Sequence, residues 1–186
     1  MSLLLTQNPP LWGAVFLWFA LAYLSGSVPY GLLLGKLAGL GDIRRAGSGN
    51  IGATNVLRLG GKKLGVATLL LDALKGALPV IVAARYHTDY AVVAAIGAFI
   101  GHLFPVWLKF KGGKGVAVAL GVALALSWKV GIILCLLWVA TAMISGYSSL
   151  SSLTSMAASP VIAALLTANV QLIAAMTVLA LMVWVR

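Results

Sequence analysis

What most constrains this chain is the regular return of long apolar runs. They lie near 11–37, 64–84, 90–108, 115–127, 130–146, 153–167 and 170–185, parted only by short charged or glycine-rich stretches. A hydrocarbon core about 30 Å thick asks for about 20 apolar residues per helix, so these segments are written for lipid rather than water. The proportions agree: 62% of the residues are hydrophobic and 9% charged, against about 25% charged in soluble domains. The expected fold is an all-α integral membrane protein of seven transmembrane helices, with 1–186 forming a single polytopic membrane domain. The runs at 115–127 and 153–167 are short for a span. They are expected to tilt among neighbours, to start inside the adjoining glycine-rich loops, or to be partly re-entrant.

Orientation follows from the basic residues. With the N-terminus outside, Lys36, Arg44, Arg45, Arg58, Lys62, Lys63, Lys109, Lys111, Lys114 and Arg186 share one side, and only Arg85 and Lys129 fall on the other. The positive-inside rule makes the crowded side cytoplasmic and places the C-terminus there. Trp12 and Trp128 then mark the outer interface, and Trp107 and Trp184 the inner one. The net charge of +10 is thus explained by topology, and no nucleic-acid partner is expected. Met1 to Pro10 carries no Lys or Arg, which a signal peptide would need, so the first run is expected to be a retained helix. Cys135, the single cysteine, has no partner for an intrachain disulfide and reads as packing.

Three polar, glycine-rich loops fall on the cytoplasmic side: Gly41 to Lys63, Lys109 to Gly115, and Gly146 to Ser152. The first holds a run from Gly47 to Arg58 in which glycines alternate with Ser48, Asn50, Thr54 and Asn55. Such glycines let backbone N–H groups converge on an anion, with the side chains as further donors. The spacing fits neither a Walker A loop nor a dinucleotide fingerprint, and a flexible re-entrant turn is the plainer alternative. The second loop sets Lys109, Lys111 and Lys114 among glycines, suited either to a multiply charged anion or to topology alone; Lys114, bracketed by glycines, is the strongest candidate. His102, near the cytoplasmic end of the third run, either serves the site as hydrogen-bond donor or proton acceptor or makes a helix-packing bond. The serines of the third loop have no adjacent base, so Ser148 and Ser149 read as donors rather than nucleophiles, while helix capping is an equal alternative for Ser151 and Ser152.

Inside the second run, Asp72 and Lys75 share a helix face and are expected to form an ion pair that shapes the bundle. Ser27 and Pro29 read as a kink in the first run. The chain has no Glu, its aspartates are Asp42, Asp72 and Asp89, and its histidines are His87 and His102. A paired-carboxylate mechanism and a His/carboxylate metal site are therefore not expected, nor is any cofactor. So few bases suit a substrate that is already activated.

Gly-Ser-Gly-Asn followed by Gly-Ala-Thr-Asn-Val-Leu-Arg at 47–58, Gly-His at 101–102, Phe-Lys-Gly-Gly-Lys-Gly at 110–115 and Gly-Tyr-Ser-Ser at 146–149 resemble, in order, the bacterial acyl-phosphate:glycerol-3-phosphate acyltransferase family. The resemblance implies a monomeric seven-helix protein of the bacterial inner membrane with its site facing the cytoplasm. Its partners would be the lipid bilayer, acyl phosphate and glycerol 3-phosphate, and the acyl chain would pass to the 1-hydroxyl without an acyl-enzyme. It assigns Ser48, Gly49, Asn50 and Thr54, with His102, to a phosphate pocket, and Arg58 and Lys114 to glycerol 3-phosphate. Asn55, Gly112, Gly113, Ser148 and Ser149 join the expected substrate-binding set, and His102 is the expected catalytic residue.

Family members usually continue past the last span with a tail resembling His-x-Asn-Ile-x-Arg-Leu-Leu. This chain ends at Arg186, so the expectation is either a shortened sequence or reduced activity. The competing class is a transporter or channel for a phosphorylated anion. It would need polar or small residues toward the outer face, where these runs are nearly all Leu, Val, Ile and Ala.

Overall fold

A computed structural model describes residues 11–186; the charge-free segment Met1 to Pro10 lies outside them. Among the described residues eight α-helices follow one another: α1 (Trp12–Ser27), α2 (Tyr30–Leu37), α3 (Ala53–Ala84), α4 (Thr88–Leu103), α5 (Val116–Leu126), α6 (Trp128–Ser145), α7 (Ser148–Leu166) and α8 (Val170–Val185). No strand occurs among the described residues. Five helical segments are long and apolar enough to cross a membrane, counting α1 and α2 as one, and α5 and α8 are shorter apolar helices.

The first run breaks at Val28–Pro29, the kink expected there, because the proline ring interrupts the amide ladder. Other boundaries depart from the sequence reading for local reasons. α3 begins at Ala53 rather than near residue 64, because Gly61, with φ +79°, joins a short helix to the long one. The serines after Gly146 form the first turns of α7, so the short run at 153–167 starts inside the adjoining loop, one of the alternatives expected for it. The expected span ending near residue 108 stops as a helix at Leu103, and a 3-10 turn follows at Val106–Leu108.

Lipid offers no hydrophobic drive for helices to associate, so small residues that let backbones touch carry the packing. α1 meets α4 in this way. A Cβ added at Gly26 would fall 1.9 Å from the Ala98 carbonyl oxygen, and one at Gly101 would fall 2.2 Å from that of Tyr23. α3 meets α5 likewise, where a Cβ added at Gly121 would fall 2.1 Å from the Ala73 carbonyl oxygen. Phe99, Leu103, Val118, Val122, Leu134, Met156, Met176 and Leu179 fill the centre.

Gly121→Val is therefore expected to destabilise the bundle by about 2–3 kcal/mol, the cost of forcing atoms into a packed interface. Gly13, with nothing within 4 Å of its added Cβ, supplies the contrast: Gly13→Ala should leave stability unchanged or slightly raised. Thermal unfolding of both variants in one detergent checks the difference.

Candidate active site

The loop between α2 and α3 is held from inside by one amide. Asn55, 1% exposed, accepts the Ser48 N–H through Oδ1 at 2.8 Å and donates through Nδ2 to the carbonyls of Ile43 at 2.9 Å and Ala46 at 3.3 Å. The Gly49 N–H is given to the Ala46 carbonyl, and that of Gly52 to Asn50 Oδ1. The expected convergence of backbone amides on an anion is thus largely not realised: Ser48, Gly49 and Gly52 use theirs to fold the loop. What faces outward is the side chains of Ser48 and Thr54, together with the first-turn amides that helix geometry leaves open at the start of α3. Asp42 turns to the Arg44 side chain and amide. Those hydrogen bonds hold its carboxyl down at about 2, which leaves no base there.

The Lys-Gly loop is shaped by the end of α4. The last carbonyls of a helix need partners, and Gly113 donates to His102 O at 3.1 Å and Gly112 to Leu103 O at 3.0 Å. Tyr23 Oη donates to Phe104 O at 2.8 Å. Glycine is required at both positions, since a Cβ at Gly112 would lie 2.0 Å from His102 O and one at Gly113 2.2 Å from His102 Nε2. The chain turns through left-handed backbone at Lys109 and Phe110 and delivers Lys114 beside His102.

These elements close around a cavity of about 450 Å³. Ser48, Asn50, Thr54, Asn55 and Arg58 line it from the first loop and the start of α3, His102 from α4, Lys114 from the second loop, and Ser148, Ser149 and Ser152 from α7. Leu69 from α3, Leu120 from α5 and Cys135, Trp138 and Val139 from α6 supply an apolar wall. Arg58 and Lys114 have no carboxylate partner among the described residues. His102 is 4% exposed, and its Nδ1 is buried without a partner.

Of the residues expected to bind substrate, Gly49, Gly112 and Gly113 do not line the cavity. Gly112 and Gly113 cap α4, and Gly49 closes its own turn. Asn55 reaches the wall with its amide already committed. Asp72, expected to do no more than pair with Lys75, also lines the cavity, as do Cys135 and Trp138 on α6. Only a helical wheel of each span, rotated correctly against its neighbours, would have revealed these three.

The arrangement is a mouth of donors and cations above a hydrophobic slot, suited to an anionic head with an apolar chain. No group of three or more metal-ligating side chains forms among the described residues. The family model described as glycerol-3-phosphate acyltransferase matches residues 16–186. The glycerol-3-phosphate acyltransferase of Rhodopseudomonas palustris (strain HaA2) is 60% identical over 142 residues, spanning 76% of this chain and 72% of that one. Its counterpart from Mesorhizobium japonicum is 58% identical over 139 residues, spanning 75% and 71%. Among solved structures, the glycerol 3-phosphate form of PlsY (YgiH), an integral membrane glycerol 3-phosphate acyltransferase, is similar with a TM-score of 0.89 at 36% identity, covering 94% of this chain and 88% of that one. Its lysophosphatidic acid form gives 0.86 at 34% identity, covering 93% and 87%.

Asn55→Ala is expected to loosen the first loop by about 2–4 kcal/mol, the loss of three hydrogen bonds with their partners left behind. Limited trypsin digestion should then cut at Arg44, Arg45 or Arg58 faster than in the unaltered chain, while Ser148→Ala leaves the pattern unchanged.

Proposed function

This chain belongs to the glycerol-3-phosphate acyltransferase family, and from that premise we propose how its cavity carries out the transfer. The protein is a multi-pass membrane enzyme that acylates glycerol 3-phosphate to 1-acylglycerol 3-phosphate, lysophosphatidic acid. The donor is acyl phosphate. Its chain lies along Leu69, Leu120, Cys135 and Val139, and its phosphate meets Ser48, Asn50, Thr54 and the start of α3. Arg58 and Lys114 hold the phosphate of glycerol 3-phosphate, with Ser148 and Ser149 completing the mouth.

The 1-hydroxyl oxygen attacks the acyl carbonyl carbon, the carbonyl–phosphate C–O bond breaks, and inorganic phosphate leaves. The alcohol proton passes to His102 or to a substrate phosphate oxygen. The reaction needs no acyl-enzyme because phosphate is a good leaving group from the outset. The observation that carries this reading is the juxtaposition, in one cavity, of five hydroxyls and two cations without a carboxylate partner among the described residues with an apolar slot of membrane helices. Seven crossings with α1–α2 as the first, an outer N-terminus, a cytoplasmic site and C-terminus, and a monomer in the inner membrane complete the proposal. Support comes from the ten-to-two division of basic residues.

Detergent-purified protein given palmitoyl phosphate should release inorganic phosphate in a glycerol 3-phosphate-dependent manner. Arg58→Ala and Lys114→Ala should each lower kcat/KM for glycerol 3-phosphate by about 10–100-fold, the worth of a charge-assisted hydrogen bond. Glycerol 3-phosphate-independent release, or none, would contradict the mechanism.

A further inference from the structure

Glycerol 3-phosphate presents two chemically opposite faces to a binding site. Its phosphate needs donors and cations, whereas its hydroxyl hydrogens need acceptors. The cavity is rich in the first kind: Arg58, Lys114, Ser48, Thr54 and the α7 serines all donate. The one carboxylate in its wall is Asp72, which lies near the middle of the membrane portion of α3, about 15 Å along the helix from Lys62.

Asp72 is 2% exposed, and its surroundings do not use it fully. Lys75 Nζ lies 2.8 Å from Oδ1 as its ion-pair partner, and no other side chain or amide among the described residues donates to the carboxylate. The Lys75 ammonium is also aimed at the Val28 carbonyl, 2.7 Å away, and sits 5.7 Å from the centre of the Tyr30 ring. Ser25 Oγ donates to the Lys75 carbonyl at 3.0 Å. Lys75 is thus tied to the break between α1 and α2, and Asp72 is held by charge at the cavity wall with acceptor capacity to spare. A buried charged pair is costly to keep for stability alone.

Resting on the acyltransferase reading above, we propose that Asp72 accepts a hydrogen bond from the non-reacting 2-hydroxyl of glycerol 3-phosphate, with Lys75 as its positioning residue. Paired with Lys75, the carboxylate is held in place to accept a hydroxyl hydrogen. Holding the 2-hydroxyl turns the 1-hydroxyl toward the acyl carbonyl and makes the site selective for a glycerol backbone over a simple alkanol phosphate.

The test compares glycerol 3-phosphate with 3-hydroxypropyl phosphate, which lacks the 2-hydroxyl, as acceptors from palmitoyl phosphate. The unaltered chain should prefer glycerol 3-phosphate by about 100-fold or more in kcat/KM. Asp72→Asn should raise KM for glycerol 3-phosphate at least about tenfold, leave KM for palmitoyl phosphate unchanged and shrink the preference. The double variant Asp72→Asn with Lys75→Gln leaves no lone charge in the bundle and keeps a side-chain N–H for the Val28 carbonyl, so it should show the same lost preference in a protein that still folds. Equal losses with both acceptors, or a double variant with unaltered preference, would overturn the assignment and make the pair purely structural. An unaltered chain that transfers to neither acceptor would overturn the acyltransferase reading itself, a result distinct from either.

Discussion

The contact on which much of this structure depends is the one between Lys75 and the Val28 carbonyl. A membrane helix that breaks leaves polar backbone groups with no water to satisfy them, and the Val28–Pro29 interruption does this where α1 hands over to α2. An ammonium from α3 meets the freed oxygen, Asp72 balances the ammonium, and Trp107 Nε1 donates to Ser27 Oγ at 2.9 Å from the far side of the break. One irregularity in the first span therefore locks α3 and the segment after α4 against it. The first of them carries Arg58 and the second runs on to Lys114, and both reach the cavity that His102 lines from the end of α4.

The glycines do a second kind of work that is easily mistaken for ligand binding. At Gly26, Gly101 and Gly121 they are absences that let helix backbones touch. At Gly112 and Gly113 they let a loop lie flat on the end of α4 and donate to its last carbonyls. The cations near them stay free because the amides do the structural bonding. A site built in this way is rigid in its backbone and open in its side chains, the condition under which oriented donors are most effective.

This division explains what could be read from the residues alone. The apolar runs, the kink at Pro29 and the Asp72–Lys75 pair were legible because desolvation dictates them wherever they fall in the fold. Ser48, Thr54, Arg58, His102, Lys114, Ser148 and Ser149 were legible as candidates because polar groups stand out against such a composition. The loop amides were not: whether an N–H faces a substrate or the carbonyl three residues back is decided by φ and ψ, and Gly49 chose the carbonyl. Nor was the wall formed by Leu69, Cys135 and Trp138, since spans this uniformly apolar give no periodic signal for which face meets the cavity. The onset of α7 was open among alternatives for a related reason, because serines suit a loop and the first turn of a helix equally well.

The scarcity of bases around the cavity becomes intelligible once the reaction is considered as a whole. A transfer from an acyl phosphate begins with a leaving group that needs no protonation by a strong acid, and the alcohol need lose its proton only as the new bond forms. The barrier then yields mainly to orientation and to neutralising charge on two phosphates held close together. In the proposed reaction Arg58 and Lys114, unpaired among the described residues, answer the charge. In the same proposal His102, in the last turn of α4 against Gly113, offers an imidazole that needs to accept a proton only briefly before a phosphate oxygen can take it. A strong base at this position would face a bundle already bearing a buried ion pair, and would add desolvation cost for little gain in rate. On the proposed mechanism, activation supplied by the donor, rather than by the protein, is thus what allows the site to be assembled inside a membrane from so few ionisable groups.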